Sequence, residues 1–191
     1  MSRTRVPRTV PEQCRQAEIL ITAIREGTEL EFPSIGSVLA MHRSTAILST
    51  DHRRVASGRA PEANDCVARL RATVQSRREQ GVNLALKQLA RRVLHLEAIL
   101  RELEHAEQED IRLLFSLRDD VFENASLLES LGITPPEVHR IEAIDEELRR
   151  TADWFLRRGL YVPLSAAATR PPEYWWWKLA PAIPGHRDLR R

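Results

Sequence analysis

Residues 82–103, VNLALKQLARRVLHLEAILREL, decide how this chain folds. Val82, Leu86, Leu89, Val93, Leu96, Leu100 and Leu103 follow one another at alternating steps of four and three. That spacing marks a helical coiled-coil seam. A second run, Leu114, Leu117, Val121, Asn124, Leu128 and Leu131, repeats it. The eleven residues from Leu103 to Leu114 allow a hendecad to join the runs in one helix. Alternatively EHAEQED (104–110) turns the chain, and the runs pair as an antiparallel hairpin. No Gly or Pro interrupts 104–110, which favours continuity. A continuous helix would expose the stripe and predicts a homodimer through Val82, Leu86, Leu89, Val93, Leu96, Leu100 and Leu103. Asn124 on the seam would set register or oligomer state.

Upstream, Thr9 with Glu12 three residues later forms a capping-box pattern, and Pro11 fits a first helical turn. Cys14, Ala17, Leu20, Ile21 and Ile24 make one buried stripe, which Gly27 ends. TELEFP (28–33) reads as an extended connection, because Pro33 biases Phe32 away from helix. Ser34 caps a short helix whose Ile35, Val38 and Leu39 face inward. A break at Ala40–His42 then precedes a second short helix, residues 43–55, and SGRAP (57–61) links it to the seam.

Within this region LAMHRST (39–45) resembles the turn and recognition-helix start of bacterial helix-turn-helix proteins. Ala40 stands where a turn glycine is usual, and Ala46 where a larger core residue is usual. In layout the chain resembles head-plus-coiled-coil DNA-binding proteins of plasmids and transposons, the KfrA type and transposition accessory proteins. The resemblance implies a regulatory or mobile-element DNA-binding protein. Its recognition helix would present Arg43, Ser44, Thr45, Ser49, His52, Arg53 and Arg54. Arg3, Arg5 and Arg8 would form an arm for the minor groove, and Arg59 would add a backbone contact. Arg77–Arg78 and Arg91–Arg92 would touch flanking phosphates or be ordinary exposed positions.

Downstream, Gly132 stops the seam helix, Thr134 caps the next one, and Pro135 takes its first position. Val138, Ile141, Leu148, Ala152 and Phe155 carry that helix to Gly159. Residues 160–191 hold five of the eleven prolines and read as irregular. Their Tyr174-Trp175-Trp176-Trp177 run is the best partner-binding candidate, and the alternative to a DNA-binding role is a non-enzymatic helical adaptor or subunit of a larger protein or nucleoprotein assembly that docks through it. In an extended segment Trp175 and Trp177 share one side, near Trp154 and Phe155, while Trp176 faces a partner. The expected organisation is all-α: a head (1–60), a long helical segment (61–132), and a C-terminal helix with an aromatic tail (133–191).

Charge is segregated behind a net +2, with +7 over residues 1–101, −10 over 102–153 and +5 over 154–191. Basic ends suit a polyanion, and the acidic block reads as a solvated helix face. Arginine outnumbers lysine, of which there are only Lys87 and Lys178, and its fork suits phosphate and guanine. Seven glycines are too few for a turn-dense β-sandwich. Two cysteines, Cys14 and Cys66, supply neither a disulfide framework nor a Cys-based zinc site. With no hydrophobic signal core or membrane span, the expectation is a cytoplasmic protein. Phosphate-loop, nucleophile-elbow and zinc-protease motifs are missing, so neither enzyme activity nor a cofactor is expected. His95, Glu102 and His105, or His139 with Glu142 and Glu146, lack the repeated spacing of a metal-binding bundle.

Overall fold

The computed structural model describes residues 9–50, 60–160 and 170–179, the first of these without the side chains of 45–50. Thr9 opens helix α1 (Val10–Glu26) by accepting the backbone N–H of Glu12 at 3.3 Å. Gly27 closes it in the left-handed conformation, φ 68°, which a side chain would strain. Residues 28–34 then cross to α2 (Ile35–Thr50), through a cis Phe32–Pro33 peptide bond.

Helix α2 runs through Ala40, Met41 and His42 without a break, so the turn expected there is absent. With Ala40 in place of glycine, no residue there readily takes the positive φ of a tight turn, and no described non-glycine residue has positive φ. Helices α3 (Ala60–Ser76) and α4 (Arg78–Arg101) follow, joined at Arg77. The chain turns through a 3₁₀ segment, Leu103–His105, and returns as α5 (Gln108–Ser130). A capping box starts α5, Glu107 and Asp110 exchanging side-chain bonds with each other's backbone.

The EHAEQED stretch is therefore a turn, and the seam folds back as an antiparallel hairpin. Arg92 pairs with Asp120, and Arg78 reaches the Leu131 carbonyl, as the opposed helices of an antiparallel hairpin require. Leu89, Val93 and Leu96 on α4 and Leu114, Val121 and Leu128 on α5 are fully buried. Leu84, Leu103 and Leu117 are nearly so, while Val82, Leu86 and Leu100 are half-buried against the same core. The stripe that predicted a homodimer is thus covered within one chain.

After Gly132 the chain restarts as α6 (Val138–Arg150), three residues later than Pro135 suggested, and breaks at Thr151 before α7 (Ala152–Arg157). Trp175–Lys178 form a 3₁₀ turn rather than an extended run. Every described element is helical, and one apolar cluster joins them, from Ala17 and Leu20 on α1 to Trp176 and Trp177. Helix α1 packs on α3, and α2 crosses α5. Gly36 permits that crossing, since a Cβ there would collide with the Asp120 carbonyl and the Asn124 amide. No described helix is long and apolar enough to cross a membrane.

Candidate nucleic-acid interface

The polar chemistry of the interior gathers on α5. Arg118, Asp119, Asp120, Glu123 and Asn124 are all buried, correcting the reading of this part of the acidic block as a solvated face. Between Leu114 and Asn124 no side chain of α5 is fully exposed, so the charges placed there need internal partners. Asp120 faces α2 and α4. Its Oδ2 accepts from Arg92 Nε at 2.8 Å and from the Ser34 hydroxyl, and its Oδ1 accepts from Asn124 at 3.0 Å. Burial raises its proton affinity against these partners. Beside it, Gln88 holds the 28–34 connection, accepting from Ile35 N at 2.9 Å and donating to the carbonyls of Leu30 and Pro33. Arg92 also lies 4.2 Å from the Phe32 ring centroid. This half of the network fastens a loop.

The other half fastens the aromatic segment. Asp119 Oδ1 accepts from the indoles of Trp176 at 2.8 Å and Trp177 at 2.7 Å. Glu123 Oε1 accepts from the Tyr174 hydroxyl at 2.7 Å and from Arg43 at 3.1 Å. Arg118 clamps Asp145 of α6 through two bonds of 2.7 and 2.8 Å and stacks 4.4 Å from the Trp176 centroid.

These contacts absorb several residues read as exposed. Arg43 bridges Glu123 and Glu173, and Ser44 is buried, donating to Ala40 O and accepting from Arg170 at 2.7 Å. Neither offers a free recognition face. The side chains of Thr45 and Ser49 lie outside the described residues, as do Arg3, Arg5, Arg8, His52, Arg53, Arg54 and Arg59 altogether. Arg92 is buried, whereas Arg77, Arg78 and Arg91 are exposed. Trp176, expected to face a partner, is fully buried, and so nearly is Trp177. Trp175 is half-buried under Arg149, whose guanidinium lies 4.3 Å from its ring centroid. The approach of aromatic tail and C-terminal helix runs through Phe115, which touches both Phe155 and Trp177.

No group of three or more His, Cys, Asp or Glu side chains among the described residues could hold a metal ion. His95 is half-buried beside Arg92, and burial with that charge disfavours its protonation.

What the fold brings together instead is the start of two helices. Cys14 of α1 donates to the Glu62 carbonyl of α3 at 3.6 Å, and Glu18, one turn on, pairs with Arg69. Position rises together on both helices, so α1 and α3 run parallel and begin at the same end of the bundle. Helix α2 joins them there, with His42 Nε2 hydrogen-bonded to Asn64 Oδ1 at 2.8 Å and Gln13 donating to Val38 O at 3.0 Å. Thr9 and Ala60, where two arginine-rich segments enter α1 and α3, therefore adjoin. Comparison with protein-family models, curated proteins and solved structures finds no match to this chain.

Proposed function

We propose that the protein binds DNA, without catalysis, through the end of the bundle where α1 and α3 begin. One observation carries this reading: the parallel register of α1 and α3, set by the Cys14–Glu62 and Glu18–Arg69 contacts. It places side by side the attachment points of residues 1–8, with Arg3, Arg5 and Arg8, and of residues 51–59, with His52, Arg53, Arg54 and Arg59. Two cationic segments entering at neighbouring points suit a polyphosphate. Of the expected recognition face, Ser44 is buried, and Arg43, partly exposed, is held by Glu123 and Glu173. The competing role, an adaptor docking through Trp175, Trp176 and Trp177, retains only the half-buried Trp175.

The test is fluorescence anisotropy of a labelled duplex across a salt series. Binding should fall steeply with salt, and each arginine–phosphate contact removed should lower the log–log slope by about 0.9. Replacing Arg3, Arg5 and Arg8 together, or Arg53 and Arg54 together, with Ala should lower the slope, while Arg43→Ala should not. Absence of binding at low salt, or unchanged slopes in both multiple variants, would overturn the proposal.

A further inference from the structure

Cys14 and Cys66 are the chain's two cysteines, both free thiols, and they meet where α1 packs on α3. The Cys14 thiol donates to the Glu62 carbonyl at 3.6 Å. The Cys66 thiol donates to the next carbonyl along, that of Ala63, at 3.3 Å. Helical side chains lean toward the N-terminus, so the Cys66 sulfur lies over the same turn of α3 that Cys14 reaches. The two thiols also bond to each other. Ala17 and Ala63, buried one turn from each cysteine, are small enough to let the helices approach closely. The Glu18–Arg69 pair, one turn further on, holds the register. Cys14 is half-buried, with part of its surface open, whereas Cys66 is buried.

We propose that Cys14 and Cys66 form a redox pair, in which a hydroperoxide oxidises Cys14 and Cys66 then closes a disulfide that ties α1 to α3. In the first step the Cys14 thiolate attacks one peroxide oxygen and the O–O bond breaks. The other oxygen takes the proton that Cys14 gave up and leaves as water or an alcohol. Cys14 is now a sulfenic acid. In the second step the Cys66 sulfur attacks the Cys14 sulfur, and the S–O bond breaks. The hydroxyl leaves as water, carrying the Cys66 proton. One peroxide is reduced by two electrons, and each sulfur supplies one.

The order of the steps follows from the surroundings. Burial pushes the Cys66 thiol up to about 12, and its contact with Cys14 adds to the rise. Cys66 therefore stays protonated and out of reach, and Cys14 meets the oxidant first. A low-molecular-weight thiol reverses the bond by exchange at the accessible Cys14 sulfur, which releases Cys66. A second such thiol then frees Cys14 and departs as the reductant's own disulfide. While it lasts, the bond closes the long loop between positions 14 and 66, which restricts the unfolded chain.

The test treats the whole reduced protein with equimolar hydrogen peroxide and then with a maleimide. Oxidised protein should have lost two hydrogens by intact mass and should take up no maleimide, and dithiothreitol should restore both thiols. A digest without reductant should contain the Cys14 peptide joined to the Cys66 peptide of the same molecule. The oxidised form should unfold on the order of 10 °C higher, a gain that dithiothreitol removes. In Cys66→Ala, dimedone should trap a sulfenic acid on Cys14, and in Cys14→Ala the Cys66 thiol should survive the same treatment. Cys14 carried on to sulfinic acid beside a free Cys66, a bond between two chains, or an unchanged or lowered Tm would overturn the proposal. If either variant does not fold, the linked peptide and Tm of the parent decide alone.

Discussion

Asp120 is the residue on which most of the interior leans. It links α5 to Arg92 of α4, to Ser34 before α2, and to Asn124 one turn on. Both ion-pair partners are buried, so removing one leaves the other charged and desolvated, a loss of about 3–5 kcal/mol. Asp120→Ala should fall in that range by denaturant unfolding, whereas joint replacement of Arg92 and Asp120 by apolar residues should cost much less. Gly36 imposes a second local constraint. A methyl group there meets the Asp120 backbone carbonyl as well as the Asp120 and Asn124 side chains, so Gly36→Ala should separate α2 from α5 and cost about 3 kcal/mol. Arg43 is different again. Its side chain is 36% exposed, so its bridge to Glu123 and Glu173 is partly screened by water. Arg43→Ala should cost only about 1 kcal/mol and leave DNA binding intact.

Among elements, the α4–α5 hairpin is the structural spine. A coiled-coil seam buries a narrow stripe, but α4 is contacted from more than one side, and its buried face widens to take in Gly81, Gln88 and Arg92. Leu89, Val93 and Leu96 are buried within the chain and cannot contact a second copy without opening the fold. Sedimentation equilibrium at micromolar concentration should return the monomer mass of 21.9 kDa. A dimer would show that another surface associates. Leu89→Ala should lower stability by about 2–5 kcal/mol through the cavity it leaves, without changing the association state.

Taken as a whole, the molecule is closed by residues far apart in sequence. The 170–179 segment covers α5 with Tyr174, Trp176 and Trp177, all buried. A chain ending at residue 169 should lose that cover and expose Phe115, Phe122, Asp119 and Glu123. It should unfold at a lower temperature and bind a hydrophobic dye that the full chain does not. An unchanged Tm would show that the segment adds nothing to the fold. Charge is also redistributed at this scale. Asp119, Asp120 and Glu123, counted in the acidic block of the sequence, become internal partners of Arg170, Arg92 and Arg43.

Local chemistry accounts for what was legible in the chain alone. Thr9 caps α1, Gly27 closes it, Gly132 follows α5, and the all-α class follows from the periodic apolar stripes. Each of these depends on residues within a turn or two of one another, where sequence spacing and spatial spacing coincide. Two places misled, in opposite directions. LAMHRST carries a turn-like pattern, yet Ala40 and its neighbours continue the helix, because no glycine supplies the turn. At 104–110 the chain reverses without Gly or Pro, through a 3₁₀ turn and the Glu107–Asp110 capping box. The seam shows that an apolar face must be covered, but its covering surface is chosen by the hairpin. The buried acids of α5 could be suspected only from the apolar residues encircling them. Their partners, Arg92, Arg43, Tyr174 and Trp176, lie between 28 and 80 positions away. Helix propensity and capping act along the chain and are written in it. Burial of a charge, or of Trp176, depends on what arrives from elsewhere, and only the tertiary structure decides that.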